Sequence, residues 1–424
     1  MGKLTAKQPD DKPSKPRADF PLFPHASGRW AKKVKGRFVY FGKVEDDPRG
    51  EAAFELWLDQ KDDLYAGRKP RARREGLTLR QLVNSFLTAK KLSVDSGDLE
   101  PRSFVDYYAT CERVLKCFGS HRSVADLRGD DFQELRKAFN QSWGPVTVGN
   151  EIQRVRVLFK FAVDEELIDK PVRYGAGFKR PSKKNIRRER NRKGKRMFDA
   201  DQLKSILDAA GTPMKAMVLL GINAGYANTD VATLPLAAID LDRGWVAYPR
   251  PKTEIQRRCP LWPETSLALR EALLRRPQPR EPDDDGLVFI TRRGRSWSTR
   301  GKTRALVEKL FFSPPDRRPK VGTDDPVCKE FAKLIRKLKL HRPGLGFGAL
   351  RHSFQTVGEQ TLDFPAVDLI MGHAPRSDDM SDPYREEIGD DRLKAVTEHV
   401  RTWLFGGPTS GPAVDGLMLG GSGI

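Results

Sequence analysis

The chain has 424 residues, enough for two or three domains with real cores, and hydrophobic residues make up 38% of it, which excludes a disordered protein. A formal charge of +20 and a pI near 9.8 point to a polyanionic partner, nucleic acid first, because the basic residues interleave with amphipathic segments. No apolar run is long enough to span a membrane, and the scattered Cys111, Cys117, Cys259 and Cys328 form neither a zinc motif nor a disulfide framework, so no metal and a reducing, cytoplasmic setting are expected.

Residues 1–26, rich in Lys, Pro and Asp, read as a flexible arm, with Asp10 and Asp11 where a signal peptide needs an apolar core. Residues 27–68 read as a small β-hairpin plus helix: β-prone stretches flank a Lys35-Gly36 turn, and Ala52, Leu56 and Leu58 have helical placement. A basic stretch (Arg68, Lys69, Arg71, Arg73, Arg74) leads to Thr78, which forms a capping-box pattern with Gln81. Residues 77–178 then read as a helical block. Leu79, Leu82, Val83 and Phe86 share one helical face, as do Phe104, Tyr108, Cys111, Val114 and Phe118; Phe132, Leu135 and Phe139 mark a third helix, and Gly144-Pro145 breaks the chain before a fourth. Residues 179–196 carry almost no apolar side chain and read as a basic linker. Lys179, Arg180, Lys183, Lys184, Arg187, Arg188, Arg190, Arg192 and Lys193 in it suit phosphate neutralisation with release of counterions.

Residues 197–405 mix helices with short β-prone stretches. Asp199 or Asp201 caps a helix, Met214 to Ile222 forms an apolar one, and Trp245–Pro251 and Arg257–Leu261 flank Lys252-Thr253-Glu254 as a hairpin. Further helices are expected from Thr299 to Phe311 and from Pro326. Ala349, Leu350, Phe354 and Val357 then define a buried helical face that leaves Arg351 on another. Met371-Gly372-His373 and Pro383-Tyr384-Arg385 follow, then a last helix and a Gly-rich tail over 406–424. Together these residues suit a phosphate: a guanidinium forks onto two oxygens, an imidazole donates to a third, and a phenol attacks phosphorus.

The order Arg351, His373, Tyr384 near the C-terminus resembles the tyrosine recombinase (phage integrase) family. The resemblance implies a mainly α fold with small β-sheets (α+β): 27–68 as a module similar to arm-type DNA-binding domains, 77–178 as a helical core-binding (SAM-like) domain, and 197–405 as the catalytic domain. It makes Arg351 the second catalytic arginine, His373 the His/Trp position, Tyr384 the nucleophile and Lys252 the hairpin lysine that protonates the leaving oxygen. It implies site-specific strand transfer on double-stranded DNA through a 3′-phosphotyrosyl link, without metal or cofactor, by a homo-oligomer (dimer or tetramer) that clamps the duplex. Two positions depart from the pattern. Gly225 and Asp230 match the first-arginine motif but Ala227 stands at the arginine, and Gly348 stands where the family has His or Lys. Strand alternation sets Arg250 beside Lys252, with Arg257 and Arg258 on the opposing strand, so a hairpin guanidinium, Arg250 first, is expected to replace the missing one. The alternative is a catalytically degenerate DNA-binding protein of the same fold.

Overall fold

The computed structural model describes residues 15–67, 76–313, 317, 319, 325–374 and 387–406. Its contacts separate two units: Met1–Glu189 with Thr303–Val321, and Arg190–Lys302 with Gly322–Ile424.

The first unit begins with an antiparallel sheet of β1 (Phe23–His25), β2 (Arg29–Val34) and β3 (Arg37–Lys43) in that order. Val34 pairs with Arg37 across a two-residue turn whose Lys35 and Gly36 both have positive φ (48° and 82°), the turn geometry that matches strand twist. The sheet packs on α1 (Glu51–Ala66) through Trp30, Phe41, Ala53 and Trp57. Asp47 starts that helix, accepting the Glu51 and Ala53 N–H groups at 3.0 and 2.9 Å. The expected arm over 1–26 is shorter than read: Phe20 and Leu22 are buried in this core and β1 extends the hairpin. The Phe20 ring lies over Gly50, where an added Cβ would meet it at 2.7 Å, so two apolar side chains pin a segment whose average composition is polar. Residues 1–14 fall outside the described residues.

The helical block follows as α2 (Leu79–Asp95), α3 (Pro101–Phe118), α4 (Gly129–Ser142) and α5 (Pro145–Asp164). The Thr78–Gln81 capping box is present, and Pro145 opens α5 where its missing N–H has no intrahelical partner to lose. Phe86, Phe104, Phe118, Phe132 and Phe159 are fully buried. Glu151 is buried with them. Its carboxylate accepts from Thr110 (2.9 Å), Arg113 (3.0 Å) and Arg154 (2.9 Å), which offsets the desolvation of the charge. The basic run becomes helix α6 (Lys183–Lys193), with no buried residue.

The second unit is built on α8 (Thr212–Asn223), buried on nearly every side from Met214 to Asn223, with α7 (Ala200–Ala209) before it and the short α9 (Asn228–Ala232) after it. An antiparallel sheet of β4 (Ile239–Asp240), β5 (Trp245–Ala247) and β6 (Arg258–Pro260) follows, then α10 (Pro263–Leu274). Buried Asn223 anchors the sheet to α8: its amide donates to Pro260 O (3.0 Å) and accepts from Trp262 N (2.9 Å). The next helix, α11 (Arg300–Phe312), departs from the expected continuous 197–405 domain. From Thr303 onward it belongs to the first unit, because Val307 and Leu310 are buried in the helical-block core and Glu308 pairs with Lys91 at 3.0 Å. The chain then returns through α12 (Pro326–Lys337), α13 (Gly348–Gly358), α14 (Phe364–Met371) and α15 (Asp390–Phe405). Gly221 lets α13 lie directly on α8, since a Cβ there would fall 2.7 Å from Leu350 Cδ1. Among the described residues no helix is long and apolar enough to cross a membrane.

Candidate active site

Arg351 sits on the first turn of α13, half-buried, while Leu350, Phe354 and Val357 of the same helix face the core. Its guanidinium bridges two turns: Nη1 donates to Gly225 O at 2.6 Å and Nη2 to Met371 O at 2.7 Å. Gly225 has φ +63°, and a Cβ there would press on Phe354 (3.1 Å) and Met371 (3.2 Å), so the turn that receives Arg351 needs a glycine. Burial first, and then the nearby Arg250, lower the Arg351 pKa to about 10, which leaves it charged at neutral pH.

The end of α14 supplies the other wall. Gly372 (φ +60°) closes the helix in a Schellman arrangement, with Gly372 N donating to Leu369 O (3.2 Å) and His373 N to Asp368 O (3.0 Å). That turn sets the His373 ring beside Asp368, Nδ1 to Oδ1 at 3.0 Å, so Nδ1 carries the proton and Nε2 keeps its lone pair. Burial lowers the His373 pKa; Asp368 opposes this, and Arg351 and Arg250 add to it.

The hairpin provides the third wall. Arg250 N donates to Ile255 O (2.9 Å), and Arg250 O receives the Thr253 and Glu254 N–H groups, closing a tight turn with Glu254 at φ +54°. The Arg250 side chain reaches Gly372 O at 3.4 Å, one residue from the carbonyl that holds Arg351. Arg250, Arg351 and His373 therefore meet around the Met371–His373 turn. Lys252 is exposed in the hairpin turn, beyond the last β5 residue, and among the described residues no hydrogen bond or ion pair ties it to the other three. Tyr384 lies outside the described residues. Gly348 opens α13, and a side chain added there would meet open space. All nine basic residues singled out between Lys179 and Lys193 are exposed.

No sequence-family model matches the chain, and no curated protein matches it either. Solved structures do. A lambda integrase dimer bound to a COC' core site aligns with a TM-score of 0.51 at 14% identity, covering 88% of this chain and 97% of that one. The Tn1549 transposon integrase in complex with transposon right end DNA gives a TM-score of 0.52 at 13% identity, over 77% of this chain and 100% of that one. The same integrase with circular intermediate DNA gives 0.51 at 13% identity, covering 76% and 99%. The chain has the tyrosine recombinase fold.

Within that fold, sequence reading missed Asp368 and left open which hairpin arginine faces inward to Asp230. Asp368 is findable in hindsight, because a Schellman turn brings the side chain five residues before His373 back beside it. Arg257 turns inward to Asp230, while its neighbour Arg258 turns outward to Asp390 (2.5 Å) and Glu387 (3.5 Å); only the strand's facing in the folded sheet decides which is which. His352, next to Arg351, is also held below the ordinary histidine pKa by burial and then by Arg196, Arg351 and Arg190.

These histidines predict acid sensitivity. A folded-state pKa below the unfolded value of about 6.5 means that the unfolded chain binds the proton more readily. Their stabilising contribution is complete above that value and is lost as pH falls through the depressed folded pKa values. The melting temperature is expected to fall on acidification from pH 7 to 5, and the His352→Gln/His373→Gln double variant to lose part of that slope. An unchanged slope removes the two rings as its source.

Proposed function

We propose that the chain is a DNA strand transferase of the tyrosine type, cutting and rejoining duplex DNA through a 3′-phosphotyrosyl intermediate as a homo-oligomer. The observation that carries the reading is the convergence of Arg351 and Arg250 on adjacent carbonyls beside His373, two cations and an imidazole around one turn. Support also comes from the aligned structures, in which lambda and Tn1549 integrases are bound to DNA.

A phenol with a pKa near 10 attacks phosphorus at neutral pH only if its proton leaves as it attacks. In the proposed step the Tyr384 oxygen bonds to phosphorus while the bond to the 5′-oxygen breaks. Arg351 and Arg250 neutralise the non-bridging oxygens of the transition state, His373 Nε2, left with its lone pair by the Asp368 contact at Nδ1, takes the phenolic proton instead of donating to a phosphate oxygen as the sequence suggested, and Lys252 gives one to the leaving 5′-oxygen. Attack by a different 5′-hydroxyl on the phosphotyrosine then completes recombination.

The second reading, a DNA-binding protein that has lost the chemistry, is favoured by Ala227 and Gly348 alone. One experiment separates them. A library of nicked duplexes, cut so that the 5′-fragment diffuses away, traps a covalent adduct even from a slow enzyme. Adduct that survives denaturation supports strand transfer; bound duplex without adduct leaves the degenerate reading.

Binding itself has a separate test. With the nine exposed cations between Lys179 and Lys193 proposed to meet phosphates, affinity is expected to fall by about 10³-fold or more between 50 and 200 mM salt. Charge reversal at Arg187 and Arg188 is expected to weaken every duplex alike and flatten the salt slope, whereas a flat slope in the parent protein excludes phosphate gripping.

A further inference from the structure

Asp230 is buried and holds the turn before α9, where its Oδ2 accepts the Ala227 N–H at 2.6 Å. A buried carboxylate stays ionised only when paired with a charge or with enough donors. The neighbouring position 227, an alanine, provides no cation. Arg257 does, from the hairpin: Nη1 donates to Asp230 Oδ2 at 3.3 Å, and Nη2 lies at ion-pair distance, 3.3 Å from Oδ1, without a hydrogen bond, the arginine side chain being wholly buried. Two further contacts fix it, and Gly372 leaves room for it. Its Nε donates to Tyr248 O at 2.8 Å, its guanidinium sits 3.9 Å over the Tyr226 ring, and its Cδ lies 3.1 Å from where a Cβ on Gly372 would be. That same Cβ would stand 3.0 Å from Arg250 Cβ, so the missing side chain at Gly372 lets both hairpin arginines approach the Met371–His373 turn.

Without Arg257, the Asp230 carboxylate would face the next cations in its field, and Asp230 already acts on Arg351. A carboxylate that captured Arg351 or Arg250 would draw the guanidinium below the surface where a phosphate arrives. We infer that Arg257 replaces, from the opposite strand of the hairpin, the ion pair that an arginine at 227 would make with Asp230, and so leaves Arg250 and Arg351 to meet the phosphate. Arg257 is thus a positioning residue that never touches DNA, and the work of one arginine is divided between two: Arg257 below and Arg250 above. This inference rests on the strand-transfer reading for its effect on rate, though not for the pair itself.

The test is a reciprocal exchange: the parent protein, Arg257→Ala, Ala227→Arg and the double variant, each measured for adduct rate on the nicked duplexes and for melting temperature. Arg257→Ala is expected to melt lower and to form adduct about 10²-fold more slowly, the scale for displaced catalytic groups. Ala227→Arg alone sets a second guanidinium on a carboxylate already paired and brings no gain. The double variant is expected to recover both rate and melting temperature to near the parent values. Lost packing against Tyr226 cannot produce that rescue, because residue 227 fills a different volume on a different element. A folded Arg257→Ala protein with the parent rate overturns the inference, as does a double variant that stays slow or fails to fold. If the parent binds duplex but forms no adduct, the strand-transfer reading falls, while the melting temperatures alone still decide whether 257 and 227 exchange the Asp230 pair.

Discussion

Arg351→Ala is expected to slow adduct formation by about 10² to 10⁵-fold under saturating DNA, the cost of removing one charged transition-state contact. The geometry places this change at the upper end. Arg351 supplies charge and also donates to Gly225 O and Met371 O, so its loss frees both the α8–α9 turn and the end of α14 that presents His373. Arg351→Lys keeps a charge but not the fork that spans two carbonyls and a phosphate, so it is expected to recover only part of the rate. Arg250→Ala is expected to act in the same direction more weakly, since Arg250 makes one long contact at 3.4 Å and leaves the backbone turns closed. DNA affinity is expected to change little in any of the three, because most phosphate contacts are proposed to lie elsewhere. A single-turnover rate for Arg351→Ala within tenfold of the parent would remove Arg351 from the chemistry.

What the sequence disclosed about this site was what local geometry determines. Arg351 lies at a helix start and His373 just beyond a Gly-terminated helix end, and both positions follow from apolar spacing and a left-handed glycine within a few residues. Arg250 was legible as a hairpin cation, and the structure sets it on Gly372 O. The grounds were only partly right, since β5 ends at Ala247 and Lys252 belongs to the turn, where strand alternation no longer applies. The pair of Arg257 with Asp230 was not legible, because Arg257 and Arg258 are adjacent, identical in type and opposite in facing. Choosing between them needs the seating of the sheet on α8, which depends on buried Asn223 and its bonds to Pro260 O and Trp262 N. Core membership was illegible for the same kind of reason. The Val307–Leu310 stripe of α11 is an ordinary apolar face, and nothing local marks it for the helical block. Phe20 and Leu22 were hidden by the polar average of their neighbours.

Tyr384→Phe is expected to abolish the adduct altogether while leaving DNA affinity and melting temperature at the parent values. The substitution removes one oxygen and keeps the ring, so only the proposed nucleophile is lost. The other tyrosines of the second unit make poor substitutes. Tyr226 is fully buried beneath the Arg257 guanidinium, and burial raises its hydroxyl pKa well above the ordinary value, so it neither reaches a phosphate nor ionises readily. The Tyr248 hydroxyl is engaged with Thr233 Oγ1 at 2.8 Å, and its backbone carbonyl holds Arg257. Mass spectrometry of the trapped adduct from the parent protein is expected to locate the nucleotide on the peptide containing Tyr384. An adduct that persists in Tyr384→Phe at the parent rate would assign the attack to another residue and dissolve the alignment on which Arg351, His373 and Lys252 received their roles. Tyr248→Phe would then be the next variant to measure, because Tyr248 sits on the hairpin side of the same cluster and is only half-buried.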